Sequence, residues 1–208
     1  MNKTIDRIRK ECPEREIPFF ASLAGSFAMG TLHLINTLKN FSWLTFSYAL
    51  FCYLMMFGRV LIWHAGRKKS QNLYLYAALI VLAVLIPMAA ALVETIFNRD
   101  TPVYLFDWLV YGYALYGTVK MVTSIMKLKK NRNAEADEQK ALAWLSLISA
   151  CYTLFMMEFT LIRTFSEAQD LPRMYPVIMG SNFAILILTV VTMVMFMARF
   201  LWAKRERG

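Results

Sequence analysis

The stretch from Leu73 to Phe97 reads LYLYAALIVLAVLIPMAAALVETIF, and it decides the fold. Its single charged residue is Glu94, close to its C-terminal end. A helix rises ~1.5 Å per residue, so about 20 such residues cross ~30 Å of hydrocarbon. The stretch is therefore predicted to be a transmembrane helix, and Pro87 near its middle predicts a bend.

The same pattern recurs along the chain. Apolar residues make up 58% of the 208 residues, while the 18% that are charged lie in short blocks between apolar runs. Strands of a membrane barrel would instead alternate over segments of about ten residues, and no such segments occur. The sequence predicts an all-α integral membrane bundle. Its six transmembrane helices are predicted at Ile17–Lys39, Phe41–Trp63, Leu73–Phe97, Val103–Met126, Ala141–Phe165 and Tyr175–Ala203.

Three segments make up the predicted domain organisation. Residues 1–16 form a charged segment without the pattern of a cleavable signal peptide, and its apolar positions permit a short interfacial helix. Residues 17–203 form the six-helix domain, and residues 204–208 form a basic tail. The loops between helices are short, which leaves no soluble domain to carry chemistry.

Basic residues predict the orientation, because lysine and arginine resist translocation. Sixteen of them lie in the N-terminal segment, the second and fourth connections and the tail, against Lys39, Arg99 and Arg173 on the opposite side. Both termini are therefore predicted to be cytoplasmic. The net charge of +9 indicates contact with anionic headgroups of the inner leaflet rather than nucleic acid. Short loops and the lack of an outer disulfide framework favour a bacterial plasma membrane.

Glu158 is the hardest residue to reconcile with the bilayer. It lies in MMEFTLIRTF, residues 156–165, about 10 Å below the predicted outer edge. Arg163 is five residues further on, which places the two side chains about 140° apart around the helix. Ion pairs within a helix need a spacing of three or four residues. Arg163 is thus predicted to be an interface anchor, and Glu158 must find a partner on another helix.

Other polar residues lie at a similar height in different predicted helices. His33 and Asn36 are three residues apart and share one helix face. If these side chains converge, they form a polar pocket that opens outward. Alternatively, each bonds separately to a neighbouring helix or to a headgroup. The candidate ligand-binding residues are His33, Asn36, Glu94, Asp107, Glu158 and Asn182.

A metal ion is one occupant that such a pocket would suit. An imidazole with two or three carboxylates matches zinc or manganese, and His33 and Glu158 would then be the ligands. Nothing in the sequence secures the geometry that a metal needs, and no cofactor is otherwise predicted.

Arg59, Lys120 and Arg199 lie near the predicted inner ends of their helices. Long basic side chains reach back to water from such positions, or they form an anion or headgroup site at the inner leaflet. A stripe of small residues, Ser22, Ser26 and Gly30, lets another helix pack closely. That helix is internal, or it belongs to a second copy or to a partner membrane subunit.

The tripeptide YAL occurs at residues 48–50 and again at 113–115. Both copies fall in helices predicted to run inward and to be followed by a basic loop, which suggests an internal duplication. The deeper tyrosines of the fourth helix, Tyr113 and Tyr116, are candidates to line a cavity or to bind a cation.

Three function classes follow. The first is transport of a small cation or a cationic or zwitterionic solute, by the chain alone or as the membrane subunit of a transporter. The second is a non-catalytic sensor, regulatory or assembly subunit. The third, a metal-assisted intramembrane hydrolase, is disfavoured because the only histidines, His33 and His64, do not form a paired motif such as HExxH. We therefore expect a protein that is not an enzyme.

Overall fold

The computed structural model describes residues 17–40, 42–68, 70–97, 107–131, 136–165 and 171–205. Within these ranges it does not describe the side chains of residues 17, 18, 40, 107–109, 171 and 172. The described part is all-helical, without strands. Its six helices are α1 (Ile17–Asn40), α2 (Trp43–Arg67), α3 (Leu73–Phe97), α4 (Asp107–Asn131), α5 (Asp137–Phe165) and α6 (Leu171–Arg205).

Six helices lie where the sequence predicts them, but α4 ends five residues after the predicted Met126, and α5 and α6 each begin four residues before the predicted starts. The break between the first two falls at the predicted hairpin, where Ser42 in an extended conformation caps α2. Its hydroxyl accepts a hydrogen bond from the backbone N–H of Thr45 at 3.4 Å, which satisfies one of the free donors of the helix start. The predicted interfacial helix in residues 1–16 and the last three residues of the tail lie outside the described residues.

Charged residues mark the helix ends that point in one direction. Lys129 and Lys130 lie in the last turn of α4, and Asp137 and Glu138 lie in the first turn of α5. Both arrangements complement the helix dipole. We call this the basic end of the bundle. It also holds Arg67 of α2 and the last turn of α6.

The packing is uneven. α2 packs against α1, α3 and α5, and α5 packs against α2, α3, α4 and α6. In contrast, within the described residues the backbone of α1 comes close only to that of α2, and the backbone of α4 only to that of α5. The helices α2 and α5 therefore form the centre of the bundle, with α1 and α4 as outer walls. α6 lies on the other side, against α3 and α5.

One cluster of buried apolar side chains fills the core, and aromatic rings contact one another at two places in it. Tyr48 and Phe51 of α2 meet Tyr152 of α5, with ring centroids 5.6 and 4.4 Å apart respectively. On the other side Phe196 of α6 packs near Tyr74 of α3 at 6.1 Å. α3 continues through Pro87, which is buried.

Five helices are long and apolar enough to span a membrane, namely α1, α2, α3, α5 and α6. The described part of α4 is not among them, since it carries Lys120 and Lys127 as well as several tyrosines and glycines. The outer surface of the bundle is rich in large apolar side chains, such as Ile86 at 69% and Leu115 at 68% exposure. Such a surface suits hydrocarbon, so the chain has the features of a helical membrane protein.

Candidate functional site

Thr153, in the middle of α5, is the centre of a buried hydrogen-bond network. Its hydroxyl donates to the carbonyl of Ser149 at 2.7 Å, which uses its only proton. The hydroxyl of Tyr48 at 2.9 Å and the ammonium of Lys120 at 2.8 Å must therefore both donate to the Thr153 oxygen. One side chain thus joins α2, α4 and α5.

Lys120 and Arg59 bring two positive charges into the same region. Lys120 also lies over the ring of Tyr116 at 5.4 Å, and it is close enough to Arg59 for their charges to interact. Within the described residues, neither cation forms an ion pair with a carboxylate. Two unpaired cations inside a bundle of this kind are costly and call for a function.

Arg59 is bonded to α1 instead. It is 2% exposed, and its Nη1 donates to the hydroxyls of Ser22 at 2.7 Å and Ser26 at 3.2 Å. Gly30, the third member of the small-residue stripe, faces Cys52 and Tyr53 of α2. The stripe is therefore internal and packs against α2. Arg59 does not reach back to water, because the serines hold its guanidinium inside the bundle.

His33 lies further along α1, fully buried at 1% exposure. Its ring packs against Tyr48 at 4.5 Å and Tyr113 at 5.5 Å between centroids. Among the described residues neither ring nitrogen of His33 has a hydrogen-bond partner, and the hydroxyls of Tyr113 and Tyr152 have none either. Buried polar atoms of this kind commonly bind ordered water or a ligand.

The network continues beyond His33 toward the end opposite the basic end. The hydroxyl of Thr37 donates to the backbone carbonyl of His33 at 2.8 Å and lies 2.8 Å from the hydroxyl of Thr45. The Thr45 hydroxyl donates to the carbonyl of Ser42, in the α1–α2 connection. We call the whole set the polar file. Its members are Ser22, Ser26, Arg59, Lys120, Thr153, Tyr48, His33, Thr37 and Thr45.

At the basic end the polar file meets a cleft. Arg59 and Ser22 belong to both, and the cleft has a volume of about 640 Å³. Arg67, Lys127, Lys130 and Glu138 add further charges to its walls. The polar file therefore extends from a charged cleft to the α1–α2 connection, and hydrogen bonds link its members in three separate groups, around Arg59, Thr153 and Thr37.

The other predicted site residues are distributed over several helices. Glu94 is buried on α3, and Asn182 is fully buried on α6 with neither amide atom bonded within the described part of the chain. α6 packs against α3 and α5, whereas α1 packs against α2. His33 and Asn182 thus lie on helices that are not neighbours. Asn36 is half-buried one turn from His33, and the side chain of Asp107 is outside the described residues.

Glu158 is half-buried on α5, and its carboxylate has no hydrogen bond or ion pair with any described residue. Arg163 lies over the rings of Phe159 at 5.3 Å and Tyr175 at 5.7 Å. In the described ranges, no group of three or more His, Cys, Asp and Glu side chains is arranged to hold a metal ion.

Arg199, the third predicted inner cation, occupies a separate place. It donates to the hydroxyl of Tyr74 at 3.4 Å and lies over the same ring at 5.7 Å. Lys129 and Lys140 join it around a second cavity of about 440 Å³. Arg199 therefore contributes to the α3–α6 side and not to the polar file.

Sequence reasoning missed Thr153 and the partnership of Tyr48 with His33. A single threonine in an apolar run carries no signal, because most such hydroxyls bond to their own helix. The YAL repeat held a usable signal, since its two tyrosines, Tyr48 and Tyr113, face the same histidine with ring centroids 6.3 Å apart. Comparison with protein-family profiles, curated proteins and solved structures found no match for this chain.

Proposed function

We propose that this chain is a membrane transporter, or the membrane subunit of one, that moves a small anionic or zwitterionic solute along the polar file. One observation carries the proposal: among the described residues, Arg59 and Lys120 donate hydrogen bonds to hydroxyl groups and form no ion pair with a carboxylate. Removing a charge from water costs several kcal/mol, roughly, unless an opposite charge compensates it. A solute that carries negative charge would supply that compensation.

The arrangement of the polar file supports the same conclusion. Its hydroxyl groups lie on α1, α2 and α5 between Ser22 and Thr45, and each can exchange its present bond for one to a solute. Two of these helices, α2 and α5, form the centre of the bundle, whereas the backbone of α1 comes close only to that of α2 within the described residues. A wall that contacts a single neighbour can move relative to the centre at a lower cost than a helix packed on three sides.

The charge of the polar file favours an anion over the cation that the acidic residues suggested. Arg59 and Lys120 are members of the polar file, whereas Glu94 lies on α3 and Glu158 is half-buried on α5. The cationic solute stays a prediction that rests on sequence alone. A zwitterion is compatible with both expectations, because its carboxylate would pair with Arg59 or Lys120.

Position and orientation follow from the charge asymmetry of the sequence. We propose a bacterial plasma membrane, with the basic end and both termini on the cytoplasmic side and anionic headgroups around that end. A sensor, regulatory or assembly subunit was the alternative. The stripe that favoured it is occupied by α2, so no described contact supports that alternative specifically.

The test is solute uptake by proteoliposomes that contain the full chain. Labelled inorganic phosphate, betaine and choline serve as anionic, zwitterionic and cationic probes. We expect phosphate or betaine to enter, choline to remain outside, and Lys120→Met to lower the rate at least about tenfold because the solute loses its counter-charge. Lys204→Met removes an exposed lysine outside the polar file and should leave the rate unchanged.

Three results would count against the proposal. The first is that no probe enters faster than in protein-free liposomes. The second is that choline alone enters, which would restore the cationic solute. The third is that Lys120→Met and Lys204→Met transport equally well, since the buried cation would then have no part in the process.

A further inference from the structure

The cleft at the basic end is a lateral groove. Its walls come from α1 and α4 and its floor from α2 and α5. Deeper in the bundle the two walls meet through side chains, because the hydroxyl of Tyr116 lies against Gly25 of α1. Toward the basic end they separate, and the groove that results is about 640 Å³ in volume, which is ample for a small organic anion or a headgroup.

Positive charges dominate its lining. Arg59, Arg67, Lys127 and Lys130 contribute four cations, and Glu138 contributes one carboxylate. Burial lowers the pKa of Lys127, and the nearby charge of Arg59 lowers that pKa further. The groove therefore gathers like charges that repel one another in the absence of an anion.

The two arginines differ in their surroundings. The guanidinium of Arg67 lies 4.0 Å from the ring centroid of Trp63, and its charge interacts with the carboxylate of Glu138. Arg59 is 2% exposed, and its Nε–H has no hydrogen-bond partner within the described ranges. A buried guanidinium donor without a partner indicates a missing acceptor.

One side of the groove is apolar. Phe19 stacks on Trp63 with centroids 5.6 Å apart, and Leu142 lines the same space. A ligand that fits this surface carries a compact negative group for the cations and an apolar portion for the aromatic wall.

We propose that the groove binds a phosphate-bearing anion. Phosphate oxygens match the planar fork of arginine in two parallel hydrogen bonds, and lysines add charge around them. The ligand is either the headgroup of an anionic phospholipid, which enters sideways from the bilayer, or a free phosphate compound from the aqueous side. The inference rests on the proposed function, since it takes the groove as the mouth of the polar file.

The experiment measures binding without transport. The fluorescence of the full chain is recorded during titration with inorganic phosphate in detergent. In nanodiscs it is recorded with chain-brominated phosphatidylglycerol and, for comparison, with brominated phosphatidylcholine. Trp63→Phe identifies the part of each signal that comes from the groove. The double variant Lys127→Gln with Lys130→Gln removes two groove cations, and Lys204→Gln with Arg205→Gln removes two cations from the same end outside it.

We expect a Trp63-dependent signal whose apparent Kd is at least about tenfold weaker in the groove variant and within about twofold of wild type in the control. A response to inorganic phosphate assigns the free anion, whereas a response to phosphatidylglycerol alone assigns the lipid headgroup. If the groove variant unfolds, Lys130→Gln, which changes an exposed residue, replaces it.

Two outcomes overturn the proposal: no Trp63-dependent signal with any ligand, or equal weakening in both double variants, which would reflect net charge only. Binding without flux would leave this inference standing and reject transport. Flux without Trp63-dependent binding would reject phosphate binding in the groove and leave the transport proposal standing.

Discussion

The two sides of the bundle are held together in different ways. On one side α3 and α6 meet through apolar surfaces, with Val84, Met88 and Phe196 fully buried. On the other side hydroxyl groups, Arg59 and Lys120 connect α1, α2, α4 and α5 across helix boundaries. In hydrocarbon, apolar burial alone does not drive helices together, so close packing and polar bonds must do so. Apolar packing dominates the α3–α6 side, which also holds the bond from Arg199 to Tyr74, whereas polar bonds dominate the other side.

The buried threonines show the difference at the level of single residues. Thr192 on α6 donates to the carbonyl of Leu188 at 2.8 Å, within its own helix. Thr153 on α5 makes the same bond to Ser149 and also accepts from two other helices. The same residue type is thus locally satisfied on the apolar side and is a junction on the polar side. The comparison teaches that a rigid packed side supports a side with replaceable contacts.

The largest expected effect on stability comes from a substitution in the apolar packing between α3 and α6. Phe196→Ala should lower the free energy of unfolding by about 3 kcal/mol, because it leaves a cavity between α6 and Tyr74. Reversible unfolding in mixed detergent measures the change. Phe183 lies on the same helix but is 58% exposed, so Phe183→Ala should cost below about 0.5 kcal/mol. Equal costs would mean that α6 does not present the face described here.

A smaller effect separates the two threonines. Thr153→Val removes the acceptor of Tyr48 and Lys120, and we expect a loss of about 1–2 kcal/mol because a buried ammonium loses its partner. Thr192→Val should cost about 0.5 kcal/mol, since the backbone N–H of residue 192 still bonds the same carbonyl.

A double-variant cycle sharpens this comparison. Lys120→Met combined with Thr153→Val should destabilise less than the sum of the two single changes, because the second change then removes no charged contact. Additive effects, measured by the same unfolding experiment, would show that the Lys120–Thr153 bond contributes nothing to stability.

The smallest expected effect concerns Glu158. Its carboxylate is half-buried and unpartnered within the described residues, so Glu158→Gln should change the free energy of unfolding by less than about 0.5 kcal/mol. Zinc or manganese should shift the thermal midpoint of wild type and variant alike. A metal response that Glu158→Gln abolishes would instead support the metal site suggested by the sequence.

Several features of the fold could be read from local sequence. The apolar runs gave the helices, because length and composition determine which segments can cross hydrocarbon. Charged residues are found at the ends of α4 and α5: Lys129 and Lys130 lie in the last turn of α4 and Asp137 in the first turn of α5, where the helix dipoles favour them. Each of these signals acts within a few residues of its position.

The candidate site could not be read in the same way. The position of a residue along a helix follows from its residue number. The sequence therefore correctly placed His33, Glu94 and Asn182 within helices. Convergence depends on how each helix is rotated and on which helices are neighbours. Packing of whole helix surfaces decides both. The sequence grouped His33 with carboxylates, whereas the structure places it against Tyr48 and Tyr113.

Sequence alone therefore determined the number of helices and their approximate positions, because hydropathy is local, whereas the ends of α4, α5 and α6 differ from the predicted ones by two to five residues where the structure describes them. Tertiary structure alone decided that Arg59 bonds to Ser22 and Ser26 and that Thr153 joins three helices. Those contacts connect residues 33 to 105 positions apart. Their existence depends on the way α2 and α5 share the centre of the bundle, which no single segment specifies.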